Sequence, residues 1–251
     1  MPRFRPLLAA AALAVGVAVG PWPSLAHGAA PAALPSANPA GQQQLSNERT
    51  ETRWAYAADT RPVYSRPSGR ARPVTRLRLL TEDDFPNVYL VLTRWVDPGG
   101  TEWLKIRVPM RPNGATGWVR SEALGGLRIT HTFLRVNRRT LRLTLYDRGR
   151  KVMSARVGVG KASTPTPAGR FWIREKFHVQ GVPLYGPRAI GTSAYAPTLS
   201  DWPGGGVVGL HGTDQPGLIP GRPSHGCIRL RNRDILRLYR LAPVGTPIEI
   251  V

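Results

Sequence analysis

Ser224-His225-Gly226-Cys227-Ile228-Arg229-Leu230 holds the only cysteine of a 251-residue chain and one of its five histidines. His211-Gly212-Thr213 precedes it, with His211 lying 16 residues before Cys227 and Pro216, Gly217, Pro220, Gly221 and Pro223 in the interval. One cysteine excludes an internal disulfide and a cysteine-rich zinc cluster. A buried, inert cysteine is the plain structural reading. The small and polar neighbours His225, Gly226 and Arg229 argue instead for a reactive thiol. The thiolate is the attacking form, and an imidazole can take the proton or pair with the anion. Arg229 favours that anion. Gly226 allows a close turn, so the amides of Gly226 and Cys227 could face a developing oxyanion. His225 and His211 compete for the role of base; His211 ends the apolar run Val207–Leu210 and would arrive from a different segment. His211, Asp214, His225 and Cys227 are metal-ligand types, but their spacing matches no zinc template, so no metal is expected.

The charge is the loudest feature of the composition. Against 35 Lys+Arg stand 15 Asp+Glu, a net +20, which by itself suggests a polyanion partner such as nucleic acid. The N-terminus redirects that reading. Residues 1–26 have the form of a secretory signal peptide: Arg3 and Arg5, an apolar run of 14 residues from Leu7 to Gly20, then Ser24-Leu25-Ala26 as a cleavage site. The run is shorter than the roughly 20 residues of a spanning helix, so membrane attachment is expected only if the segment stays uncleaved. The expected location is the cell wall, the periplasm or the outer face of the cytoplasmic membrane. There the positive charge suits anionic wall polymers, and no nucleic acid partner is expected. The charge is also scattered: segment 51–123 carries 12 basic and 8 acidic residues, and segment 124–251 carries 20 and 6.

Residues 27–51 are rich in Ala, Pro, Ser, Asn and Gln and read as a flexible linker. Residues 52–124 read as a small all-β module, with turns at Arg66–Gly69, Asp97–Gly100 and Pro112–Gly114. Trp95, Trp103 and Trp118 read chiefly as core aromatics, with a peptide or glycan groove as the lesser reading. Residues 127–251 form a second, mainly β domain that opens at Leu127-Arg128-Ile129. Within it, Thr140–Tyr146 and Lys151–Val157 read as a hairpin, Arg233–Leu241 as a helix capped by Asn232, and Thr246–Val251 as a closing strand.

Two separated motifs carry a family resemblance. "S-H-G-C-I-R-L", with "H-G-T" before it, resembles the signature of the L,D-transpeptidase catalytic domain of the YkuD type. Val157–Phe171, with its "T-P-T-P-A-G-R-F", is similar to a second stretch of that family. Trp103–Val119 is similar to the last hairpin of bacterial SH3-like domains. The fold class these imply is mainly β: an N-terminal SH3-like β-barrel, then a β-sandwich catalytic domain with a few short helices. The activity implied is cross-linking of peptidoglycan. A cysteine attacks a tetrapeptide stem, D-Ala leaves, and the amine of another stem resolves the thioester into a 3→3 cross-link. Carried over by motif, Cys227 is the nucleophile and His211 the base, oriented by the Gly212 carbonyl. Ser224 and His225 shape the turn, Gly226 and Cys227 supply oxyanion amides, and Arg229 supports the site or holds a substrate carboxylate. Tyr195 and Trp202 are candidate substrate-wall residues in the lid Gly181–Gly206, with packing beneath the lid as the equal alternative. The resemblance implies no cofactor, and it implies peptidoglycan stems and carbapenem-type inhibitors as partners. Hydrolysis of the thioester (an L,D-carboxypeptidase), attachment of a protein to the wall and a non-catalytic wall-binding protein are the alternatives.

Overall fold

Alternation of apolar and polar residues puts most of the chain into strands, as in Arg142–Asp147, where Leu143 and Leu145 are buried and their neighbours are not. The computed structural model describes residues 41–199 and 203–251. The expected signal segment 1–26, the first part of the expected linker and the candidate wall residue Trp202 lie outside the described residues. The strands form two sheets.

The first sheet runs in the order Pro73–Arg76, Pro62–Tyr64, Thr116–Arg120, Glu102–Arg107, Val88–Val96, Thr52–Tyr56, Arg128–Thr130, with Gln42–Gln44 also on Val88–Val96. Its ladder order is an open path, and a closed barrel is not shown among the described residues. Two expectations are corrected here. The linker does not extend to residue 51: Gln42–Gln44 pairs antiparallel with Thr93–Trp95, and Leu45 is buried among Val91, Leu104 and Ile106. Pairing satisfies the backbone of this polar run, and Leu45 anchors it. The second domain also does not open at residue 127, because Arg128–Thr130 pairs with Thr52–Trp54 of the first sheet. Trp103 and Trp118 are buried, as core aromatics should be.

The second sheet runs Arg150–Arg156, Arg142–Asp147, Thr132–Asn137, Pro247–Ile250, Gly169–His178, Arg188–Tyr195, Val207–His211, Ile228–Arg229, Gly158–Gly160, Gly221–Ser224. The expected hairpin is present, and its two-residue turn Arg148-Gly149 has both φ values positive, which suits the twist of the flanking strands. Pro247–Ile250 lies between Thr132–Asn137 and Gly169–His178 and ties the C-terminus into the sheet. The helix spans Asn232–Leu241 and buries Ile235 and Leu238 in the core of this sheet. Asn232 is its first residue rather than its cap. Its side chain instead accepts the Thr213 N–H (2.9 Å).

The two sheets meet at a seam that is partly apolar and partly charged. Trp172 packs with Trp54, Val88 and Leu90, and its Nε1–H donates to the Val88 carbonyl (2.8 Å). Beside it the Arg174 guanidinium is fully buried. It donates to Glu82 Oε2 (2.7 Å) and Asn87 Oδ1 (3.2 Å). Burial pushes the Glu82 carboxyl up, but the Arg174 charge together with the hydrogen bonds that Glu82 accepts, among them those from Tyr195 and Arg174, holds it below its usual range. The first sheet is therefore fastened to the strand Gly169–His178 by a paired buried charge.

Candidate active site

The turn at residues 224–227 is built by short contacts. Gly226 has φ +127°, a region that favours glycine. Ser224 Oγ donates to the Cys227 carbonyl (2.6 Å) and accepts the Gly226 N–H (3.2 Å). The Gly226 carbonyl accepts the Thr166 hydroxyl (2.7 Å), and that hydroxyl accepts the Gly160 N–H (2.9 Å). The Thr-Pro-Thr-Pro loop thus holds the cysteine turn in place, a role that its proline content alone did not signal. The Gly226 amide, expected to face an oxyanion, serves Ser224 in this arrangement.

His211 ends the strand Val207–His211, which pairs in parallel with Ile228–Arg229. That pairing brings the histidine beside the cysteine turn. His211 is buried, and its Nδ1 lies 2.7 Å from the Gly212 carbonyl. A carbonyl only accepts, so Nδ1 carries the proton and Nε2 is left as the basic nitrogen. The Tyr185 ring stands edge-on to the imidazole with centroids 4.7 Å apart. Gly186 (φ +62°) lets this segment close down: a Cβ there would lie 2.7 Å from the Gly212 Cα.

Burial dominates the electrostatics of both groups. It pushes the imidazole down to about 4, aided by the Arg229 charge and opposed by the Gly212 carbonyl. It pushes the Cys227 thiol up, opposed by a hydrogen bond from the Gly209 N–H and by Arg229. Burial thus disfavours both the thiolate and the imidazolium. Arg229 is half-buried, and its Nε has no hydrogen-bond partner.

Cys227 and His211, with Tyr185 and Val207, line both of two cavities. One, of about 190 Å³, runs past Leu184, Leu199, Ser224, His225 and Arg229. The other, of about 470 Å³, runs past Tyr185, Gly209, Gly191 and Phe177 to Asp83. The structure thus brings Cys227, His211, Ser224, His225 and Arg229 together. It does not bring Tyr195 to them. Tyr195 is buried at the seam, its hydroxyl donates to Glu82 Oε1 (2.6 Å), and burial and that bond push it up to about 12. Tyr185, and Asn232, which the sequence offers only as a helix cap, were given no role at the site by their sequence context.

One further titrating group sits at the seam. Burial pushes Glu175 up to about 7 from 4.5. Between those values the folded chain holds a proton that the unfolded chain has lost, so stability falls as pH rises, by about 3 kcal/mol. His211 acts in the opposite sense: between 6.5 and about 4 the unfolded chain binds the extra proton, so stability falls as pH drops. Glu175→Gln should remove the first slope and leave the second. Urea midpoints at about pH 5 and pH 8 should then show the variant gaining on the parent at the higher pH; an equal gap at both would contradict the assignment.

Residues 131–250 match the YkuD family, the L,D-transpeptidase catalytic domain. The chain is 39% identical over 115 residues to YkuD of Bacillus licheniformis, named as an L,D-transpeptidase, covering 46% of this chain and 61% of that protein. It is 31% identical over 123 residues to YqjB of Bacillus subtilis, also named as an L,D-transpeptidase, covering 46% of this chain and 68% of that protein. A solved structure of the LD transpeptidase LdtMt1 in complex with imipenem aligns over 80% of this chain and 82% of that one, at 17% identity and a TM-score of 0.40. The chain belongs to the YkuD family of L,D-transpeptidases. It spans about three fifths of the first of these relatives.

Proposed function

We propose that this chain is an exported peptidoglycan L,D-transpeptidase that forms 3→3 cross-links through a thioester on Cys227. The observation that carries the reading is the pair of cavities meeting at Cys227 and His211. An enzyme that joins two stems needs a place for each on either side of one nucleophile. The smaller cavity, with the unpartnered Nε of Arg229, suits a donor stem that ends in a carboxylate.

On this reading His211 Nε2 takes the Cys227 proton as sulfur attacks the donor carbonyl. The C–N bond to D-Ala breaks, the proton passes to the leaving amine, and the thioester remains. The acceptor amine then attacks the thioester, the C–S bond breaks, and His211 carries the amine proton to sulfur. The Cys227 N–H is the assigned oxyanion donor, with Gly226 joining if its bond to Ser224 opens. We read the N-terminal β module as SH3-like and as the part that positions the catalytic half over its substrate. Residues 1–26 serve as the export signal, and the +20 charge as a general affinity for anionic wall polymers. Carbapenems are expected to acylate Cys227.

The test is incubation of the protein with disaccharide-tetrapeptide and mass analysis of the products. A dimer carrying a 3→3 link supports the reading. Tripeptide alone would make the protein a carboxypeptidase, and unchanged substrate would contradict the proposal. His211→Ala should slow acylation by about 10²–10⁴-fold. With the imidazole held near 4, the acid limb of the acylation rate should fall below about pH 5, not near the ordinary histidine value. Carbapenem adduct formation followed against pH measures both.

A further inference from the structure

The wall of the smaller cavity is held by residues outside the matched domain 131–250. Ala196, Leu199 and Gly206 line that cavity together with Cys227. The Ala196 methyl also packs toward the cysteine turn, since a Cβ on Gly226 would lie 3.8 Å from it. This segment leaves the strand Arg188–Tyr195 and rejoins the sheet at Val207–His211. At the return, Gly206 (φ +74°) passes so close to the Leu199 carbonyl that a Cβ on it would collide there. The catalytic half of the chain supplies a bond from the Ala196 N–H to the Gly206 carbonyl (2.8 Å) and a long one from the Thr198 hydroxyl to the Ser163 carbonyl (3.4 Å).

Further contacts come from the first sheet, at the tip of the hairpin that joins Glu102–Arg107 to Thr116–Arg120. Asn113 Nδ2 donates to the Tyr195 carbonyl (2.8 Å), and its Oδ1 accepts the Tyr195 N–H (3.0 Å). A neighbouring antiparallel strand would exchange the same two bonds. The Asn113 side chain supplies them where the strand Gly169–His178 no longer does, its pairing with Arg188–Tyr195 ending at Ile173 with Thr192. Arg111 Nη2 donates to the Gly205, Leu199 and Ala196 carbonyls (2.9, 3.1 and 3.4 Å). Its guanidinium also stands 4.7 Å over the Tyr195 ring. Carbonyls from both ends of the segment thus share one nitrogen, which fixes the distance between them.

We propose that Arg111 and Asn113 are positioning residues for acylation: from the first sheet they hold the segment that walls the smaller cavity, and so set how well the donor fits beside Cys227. The proposal rests on the transpeptidase reading for the identity of the donor. It gives the N-terminal β module a part in shaping the active site itself, beyond placing the catalytic half over its substrate. A wall held only part of the time weakens the apparent donor affinity by the fraction of chains in which it is formed. The effect should stay on the donor side, because Ala196, Leu199 and Gly206 do not line the larger cavity. Arg111 is itself exposed, so replacing it strands no buried charge.

The test uses the full chain, its Arg111→Ala and Asn113→Ala variants, and Arg111→Lys, whose ammonium offers three donors to the three carbonyls. Acylation of Cys227 by disaccharide-tetrapeptide, followed by intact mass, should slow at least about fivefold in each alanine variant through a raised donor KM, and should recover in Arg111→Lys. Alkylation of Cys227 by iodoacetamide, a reagent too small to need the wall, should not slow, because thiol reactivity is set by the cysteine's own surroundings. Equal slowing of both reactions would place the damage at the cysteine turn and overturn the proposal. Unslowed acylation in variants of a parent that tetrapeptide does acylate would overturn it too. Amide hydrogen exchange over Thr192–Leu199 gives a separate readout, expected to be faster in the alanine variants while the helix Asn232–Leu241 exchanges as in the parent. That result supports the clamp even if tetrapeptide never acylates Cys227, in which case the transpeptidase reading alone falls. Unchanged exchange over Thr192–Leu199 would overturn the clamp.

Discussion

Cys227→Ala is expected to lower acyl transfer from a tetrapeptide donor by at least about 10⁴-fold, to the uncatalysed background. The reason is chemical. Among the described residues that line both cavities, Cys227 carries the only thiol, and the neighbouring Ser224 hydroxyl is engaged with the Cys227 carbonyl. The loss should not come from unfolding. Cys227 is only partly buried, and the turn is held by Ser224 and Thr166 through backbone atoms that alanine keeps. Matched urea midpoints of parent and variant, with no 3→3 dimer from the variant, are the expected pair of results. A variant that still cross-links would remove Cys227 from the mechanism.

Arg174→Ala carries the second large effect, and it falls on stability. The guanidinium has no exposed surface and pairs with Glu82 at 2.7 Å. Removing it leaves the poorly exposed Glu82 with only the more exposed Arg78 as counter-charge and takes from Glu175 the positive charge that opposes its burial. Breaking a buried pair from one side costs about 3–5 kcal/mol. Urea unfolding should show a loss of that size, and Arg174→Met with Glu82→Gln should lose less because no charge is stranded. An Arg174→Ala loss below about 1 kcal/mol would mean that water reaches the seam and the pair is screened.

The parts of the fold legible in sequence are those whose signals are local. The Thr140–Val157 hairpin shows alternation with a turn between, and the helix at Asn232–Leu241 shows its apolar spacing. The motif around Cys227 and the Thr-Pro-Thr-Pro stretch were readable as two pieces of one family pattern, although only the folded chain joins them through Thr166 and the Gly226 carbonyl. The misreadings have a common cause in long-range pairing. Gln42–Gln44 is polar and looks like linker because its partner strand lies some fifty residues away. Arg128–Thr130 returns to the first sheet by pairing with Thr52–Trp54, some seventy-five residues earlier. Arg174, Glu175 and Glu82 make no pattern along the chain, since buried charges are placed by partners about ninety residues distant. Tyr195 reads from the sequence equally as a substrate wall or as packing beneath the lid, since an aromatic ring suits both. Its hydroxyl instead turns to the seam, where Glu82 needs a donor.

The account stands most directly on one measurement: the intact mass of the full chain after brief exposure to disaccharide-tetrapeptide, followed by peptide mapping. A covalent gain equal to the donor less D-Ala, located on the peptide that contains Cys227, is the result predicted. No adduct on the parent protein, or an adduct that persists in Cys227→Ala, would contradict it.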